Sequence, residues 1–164
     1  MPFFYIAPAY AHPKQLAETA LPEDIIHLPR IYDNQIKLLG YRLETDTIRL
    51  GQSAKITLYW QALQPIDKDY TIFVQGFGRT DTKIGQYNGY GGLGNFPTSQ
   101  WPVGPIIEDR YEFLLDPAAT VPTLLRFHVG FFDAQRLDLP PLSVTDDQHQ
   151  PVTSLVTTQL LEPL

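Results

Sequence analysis

The amino-acid sequence predicts an all-β protein: an antiparallel two-sheet β-sandwich of about seven to nine strands with little helix. Three observations carry that expectation. Apolar residues recur with a period of two in several short runs, the pattern of half-buried strands. Proline outnumbers glycine, 15 to 11 in 164 residues, and is spread along the whole chain, where each internal proline removes a helix donor and clashes with the preceding turn. Outside the amino-terminal segment, no stretch keeps a 3.6-residue apolar period long enough for a helix of ordinary length. That many strands cannot each bury one face in a single flat sheet, so two sheets must pack face to face. Strand order cannot be read from these runs, and an immunoglobulin-like and a jelly-roll arrangement both fit.

Residues 1–24 carry Pro2, Pro8, Pro13 and Pro22 without a sustained period. They allow at most a helical turn or two between Lys14 and Ala20, and they read as a tail or docking arm ahead of a sandwich domain of residues 25–164. The opening MPFFYIAPAYAHP is apolar, but no Lys or Arg precedes it and two prolines interrupt it. It is expected to be neither a signal peptide nor a membrane span, which takes about 20 residues. From Ile25 the texture turns strand-like. The first clear strand is Ile36–Glu44 (IKLLGYRLE), closed by ETDT before Ile48. The second is Ser53–Leu63 (SAKITLYWQAL), with Ala54, Ile56, Leu58 and Trp60 on one face and Lys55, Thr57 and Tyr59 on the other; Trp60 is expected as a core anchor. Pro65 ends it. After the polar Asp67–Asp69 turn, Tyr70–Phe77 (YTIFVQGF) is apolar on both faces, which suits a central strand. Further runs are Ile106–Leu115, Leu124–Asp133, a weak Leu142–Thr145 and Ser154–Glu162, with turns at DPAAT and TDDQ.

Composition excludes several functions. Eighteen acidic against twelve basic residues, net charge -6, with no basic cluster, is the wrong sign for a nucleic-acid backbone or an anionic lipid surface. The absence of cysteine removes thiolate metal sites, disulfides and cysteine nucleophiles together. The four histidines, at 12, 27, 128 and 149, are too scattered for a local ligand pair, and His128 is expected as a satisfied sheet histidine. No GxSxG elbow surrounds any serine. Glu108 and Asp109 are adjacent on a strand and point to opposite faces, so they cannot flank one glycosidic bond. Asp146 and Asp147 lack the spacing of a calcium loop and read as a solvated turn. Neither a catalytic set, nor a metal, nor a cofactor is expected.

One segment stands apart. Arg79–Pro105 is expected as a long irregular connection, RTDTKIGQYNGYGGLGNFPTSQWPVGP, and long loops in compact domains are usually functional or ordered excursions. Its glycines are interleaved with Tyr87, Tyr90, Phe96 and Trp101, beside the amides Gln86, Asn88, Asn95 and Gln100. Rings for pyranose C–H faces and amides for hydroxyls are what a sugar-binding surface needs. Tyr87, Asn88, Tyr90, Asn95 and Trp101 are therefore the candidate ligand-binding residues. The competing expectation is that the rings plug the open end of the sandwich. GYGGLG is not a phosphate loop, because no Lys-Ser/Thr pair and no helix pattern follow it.

The order of motifs IKLLGYRLE, GQSAKITLYWQAL, DYTIFVQGF, GQYNGYGG, FPTSQWPVG, IIEDRYEF and LRFHVGFFD, over residues 36–133, resembles a soluble domain at the carboxyl end of multi-span bacterial membrane proteins. Those proteins look like glycosyltransferases that use lipid-linked sugars, related to the dolichyl-phosphate-mannose mannosyltransferase class. The segment YIAPAYAHP is similar to the stretch that follows their last membrane helix. The sequence departs from the pattern at Gln75, often His there, and at Asn88, commonly Asp. The resemblance implies a non-catalytic, extracytoplasmic accessory domain whose partner is a membrane-embedded glycosyltransferase portion or a glycan. The alternative is an independent carbohydrate-binding module using the 79–105 loop, with a glycosidase-type enzyme third.

Overall fold

The computed structural model describes residues 12–78, 81–119 and 124–153, and the backbone of residues 155–162. The apolar opening run, residues 1–11, lies outside the described residues. Eleven strands are present among those described: β1 (Lys14–Leu16), β2 (Ile26–Tyr32), β3 (Ile36–Leu43), β4 (Thr47–Arg49), β5 (Ser53–Ala62), β6 (Thr71–Phe77), β7 (Lys83–Gly89), β8 (Ile106–Leu114), β9 (Leu124–Phe132), β10 (Val144–Thr145) and β11 (Leu155–Glu162). They form a six-stranded sheet, β1-β8-β5-β3-β2-β10, and a five-stranded sheet, β4-β11-β9-β6-β7. Among the described residues, helical conformation is 3-10 only, with turns at Glu18–Ala20 and Thr98–Gln100. The β-sandwich expected from the alternation is thus the fold. The strand count exceeds the expectation chiefly because β1, β4 and β10 are only two or three residues long, and β4 pairs with β11 in parallel where an antiparallel pairing was expected.

Local chemistry accounts for the strand ends. Between β2 and β3 the turn residues Asp33 and Asn34 both take positive φ, 47° and 56°. The Gln35 amide donates to the Tyr32 carbonyl at 2.9 Å. Tyr32 pairs with Ile36, so three residues make the hairpin loop, and after glycine Asp and Asn best tolerate the positive φ of its first two positions. β5 pairs with β3 on one side and β8 on the other, and its Ala54, Ile56, Leu58 and Trp60 are buried, as the alternation requires. They face Ile72, Val74, Phe127, Val129 and Phe131 of the other sheet in one core. Trp60 sits edge-on to Tyr32 and Phe131, ring centroids 5.8 and 5.0 Å apart.

The opposite face of β5 is covered where an open face was expected. Tyr59 is fully buried with Ile25 and Ile106, under Leu16, Leu21 and Leu39. Of the segment expected as a tail or docking arm, residues 12–24 are described: β1 extends the sheet beside β8, and Leu21 packs over Tyr59. Burying a side chain of that size is worth roughly 1.5–3 kcal/mol, so this small second core fixes the amino-terminal segment.

The 79–105 connection is corrected in its middle. Lys83–Gly89 is β7, paired with β6 over most of its length, and irregular structure is left chiefly to residues 90–105. The strand was hidden by its composition, KIGQYNG, which lacks an apolar run. The first of its two glycines has a positional reason: a Cβ on Gly85 would lie 2.7 Å from the Phe113 ring and 2.8 Å from the Leu114 carbonyl oxygen. β8 therefore closes over this edge of the five-stranded sheet, and the Asp116 amide donates to the Ile84 carbonyl at 2.8 Å. The other sheet edges are the short β1, β4 and β10, which offer little template for pairing with another chain.

Candidate functional site

The glycine-rich turn that follows β7 folds back on the sandwich. Phe96 bridges to Gly91, and its amide donates to the Gly91 carbonyl at 2.9 Å. Pro13 lies against Gly92, and His12 stacks on Phe96 at 4.4 Å. The Thr98 hydroxyl accepts the Tyr70 amide at 2.9 Å, tying the 3-10 turn to the start of β6. This folding carries the loop's rings inward. Trp101 is 4% exposed, and its indole N–H donates to the Phe96 carbonyl at 3.1 Å. Its ring lies 6.3 Å from those of Trp60 and Phe131. It plugs the end of the core, and the expectation of Trp101 as a surface platform is corrected. A ring this large gains more by leaving water at the sandwich end than by lying on a loop. Tyr87 also turns inward, edge-to-face with Tyr111 at 5.3 Å, and its hydroxyl donates to the Tyr90 carbonyl at 2.6 Å. Asn88, Tyr90 and Asn95 reach solvent. Asn88 and Tyr90 share one end of β7, whereas Asn95 is set apart on the turn.

Beneath the loop lies a polar chain within the core. Asp109 is 3% exposed. Its carboxylate accepts the Tyr111 hydroxyl at 2.7 Å and the Gly92 amide at 3.1 Å. The Tyr111 oxygen in turn accepts the Trp60 indole N–H at 3.0 Å. Burial pushes the Asp109 carboxyl above its ordinary value, outweighing the hydrogen bonds from Tyr111 and Gly92 that pull it down. Burial and the neighbouring Asp109 charge hold the Tyr111 phenol well above its ordinary value. The hydrogen bonds of this polar chain tie the Gly92 turn to β8 and β5.

Solvent-facing chemistry lies elsewhere, on the outer face of the five-stranded sheet. Along β6, Ile72, Val74 and Gly76 are buried while Thr71, Phe73, Gln75 and Phe77 are half-buried on the other side. Strand register sets Gly130, Phe73 and Asn88 in one row, His128, Gln75 and Gln86 in the next, and Arg126 with Phe77 and Lys83 beyond. Phe132 stands beside Thr71. Phe73 covers Gly130, where a Cβ would come within 2.4 Å of the ring, and it is 6.3 Å from Phe132. Phe77 packs on His128 at 4.6 Å. Burial, and then the Arg126 charge, lower the His128 imidazole below its ordinary value. These rows hold no carboxylate. At their Arg126 end, that guanidinium pairs with Asp81 and donates to the Gly78 carbonyl at 3.0 Å.

At the other end, where Phe132 gives way to Asp133, a cleft of about 280 Å³ is lined by Asp67, Lys68, Asp69, Tyr90, Asp133, Ala134 and Gln135. Tyr90, 36% exposed, is its aromatic wall. Lys68 pairs with Asp133 at 3.4 Å, and Asp69 accepts the Ser99 amide at 3.2 Å. Among the described residues, no group of three or more His, Asp or Glu could hold a metal ion. Phe73, Phe77 and Phe132 escape sequence reasoning because a run apolar on both faces reads as covered on both. The signal was Gln75, a polar residue in phase with Phe73 and Phe77. No helix among the described residues is long and apolar enough to cross a membrane. No protein-family model and no curated protein matches the chain.

Proposed function

We propose that this chain is a non-catalytic, extracytoplasmic interaction domain that accompanies a membrane-embedded glycosyltransferase and engages the glycan it acts on. The observation that carries the reading is the succession of resembling motifs, which fall in order on β3, β5, β6, β7, the Thr98–Gln100 turn, β8 and β9. They span the centre of both sheets and the loop between them. The engagement of Asp109, Tyr111 and Trp60 with one another supports a bracing role for the polar groups of the core rather than a chemical one.

The test is sugar transfer in membranes that carry the enzyme with this domain present or deleted. Deletion is expected to raise the acceptor KM while hydrolysis of the lipid-linked donor persists. Loss of donor hydrolysis would make the domain part of the catalytic machinery; unchanged transfer would remove it from the reaction. The rows of rings and amides, Phe73 with Asn88 and Gln75 with Gln86, also favour a second reading, an independent carbohydrate-binding module. That reading expects glycan affinity in the isolated chain and no change in transfer.

A further inference from the structure

We propose that the outer face of β6, β7 and β9 binds a neutral oligosaccharide, laid along Phe77, Phe73 and Phe132 and ending in the Tyr90 cleft. The inference rests on the reading of the chain as a glycan-engaging domain and assigns the site and the class of sugar. Three features point the same way. The rings are half-buried on one face of the sheet, with Phe73 settled into the space left by Gly130, and aromatic rings are what pyranose C–H faces stack on. The amides of Gln75, Gln86 and Asn88 sit in the same rows, supplying donors and acceptors for hydroxyls. β6 alone runs for roughly 20 Å at about 3.3 Å per residue, which suits an oligosaccharide rather than a single sugar. A protein partner is the poorer fit, because interface anchors are large side chains that enter pockets on the other side, and these rings do not protrude.

Charge selects the class. The cleft brings Asp67, Asp69 and Asp133 around Lys68, in a chain of net charge -6; of the two cations at the Phe77 end of the face, Arg126 pairs with Asp81 and Lys83 donates to the Gln86 amide oxygen at 2.8 Å. A uronate, sulfate or phosphate entering the cleft meets like charge in a partly desolvated site, whereas carboxylates accept freely from neutral hydroxyls.

The experiment is calorimetric titration of the chain with mannan-, glucan- and galactan-derived oligosaccharides and with oligogalacturonate, repeated on variants. At least one neutral oligosaccharide is expected to bind, and oligogalacturonate to bind at least tenfold more weakly. Because Phe73→Ala also uncovers Gly130, the exposed Asn88→Ala and Gln86→Ala carry the test. Each is expected to weaken binding about 2- to 10-fold, the worth of one hydrogen bond, while Leu137→Ala, exposed on the loop after β9, leaves it unchanged. Neutral-glycan binding that ignores the Asn88 and Gln86 changes overturns the site and leaves the glycan-engaging reading standing. Preference for oligogalacturonate overturns the charge argument. Binding of none of these sugars removes the glycan-engaging reading itself. Self-association that Phe73→Ala abolishes would make the face a protein interface and overturn the proposal.

Discussion

Trp101→Ala separates the two roles the sequence allows for the glycine-rich loop. If the ring were a surface platform, its removal would cost ligand and leave stability alone. In the structure it fills the end of the core between Trp60, Phe96 and Phe131, and its N–H satisfies the Phe96 carbonyl. Truncating a buried tryptophan to alanine costs about 3–5 kcal/mol. A freed buried carbonyl adds about 1–3 kcal/mol unless water reaches it. The two overlap, so the expected loss is about 4 kcal/mol, a large part of the roughly 5–15 kcal/mol that holds a domain together. At about 2–4 °C per kcal/mol for a domain of this size, Tm falls by roughly 8–16 °C. Urea unfolding followed by far-ultraviolet circular dichroism, with calorimetry for Tm, reads both. A loss under about 1 kcal/mol would refute the plug and restore Trp101 to the surface.

Two further predictions concern the core network. Tyr111→Phe removes the hydroxyl that serves both Asp109 and Trp60, leaving two buried groups without that partner. It is expected to cost about 2–4 kcal/mol in urea unfolding, since each orphaned group is worth about 1–3 kcal/mol; a cost below 0.5 kcal/mol, on the order of a surface change, would contradict the network. The raised Asp109 carboxyl also sets a pH signature. In the folded state it holds its proton to higher pH than the ordinary carboxylate value of about 3.9. Its contribution is therefore most favourable below that value, declines as pH rises through the raised folded value, and is level above it. The stability of the wild-type chain minus that of D109N should fall with rising pH across that window, and a rise would refute the assignment.

Much of the fold was legible because its signals are local. The alternation in Ser53–Leu63 gave the buried face of β5, and Pro65 gave its end. What was not legible depends on distant partners. Lys55, Thr57 and Tyr59 read as an outward face, and only the return of Leu16 and Leu21 over the sheet buries Tyr59. β7 was invisible because its pairing comes from backbone bonds to β6 rather than from an apolar pattern. Asp109 is in phase with Ile107, Tyr111 and Phe113, so its inward direction was available in the β8 sequence; its partners, the Tyr111 hydroxyl and the Gly92 amide, were not. For the site, rings beside amides stood out in the sequence only within the 79–105 segment. Of its five candidate residues, Asn88, Tyr90 and Asn95 reach solvent, Tyr87 is half-buried and Trp101 is buried.

The most direct test of the account is a nitrogen-15 chemical-shift titration of the chain with the neutral oligosaccharide that calorimetry selects. The expected result is movement of the Gln75, Gln86 and Asn88 side-chain amides and of the Phe73, Tyr90 and Phe132 backbone amides, with Asn95 and Thr57 unmoved. Shifts confined to residues 91–101, or to the six-stranded sheet, would contradict it.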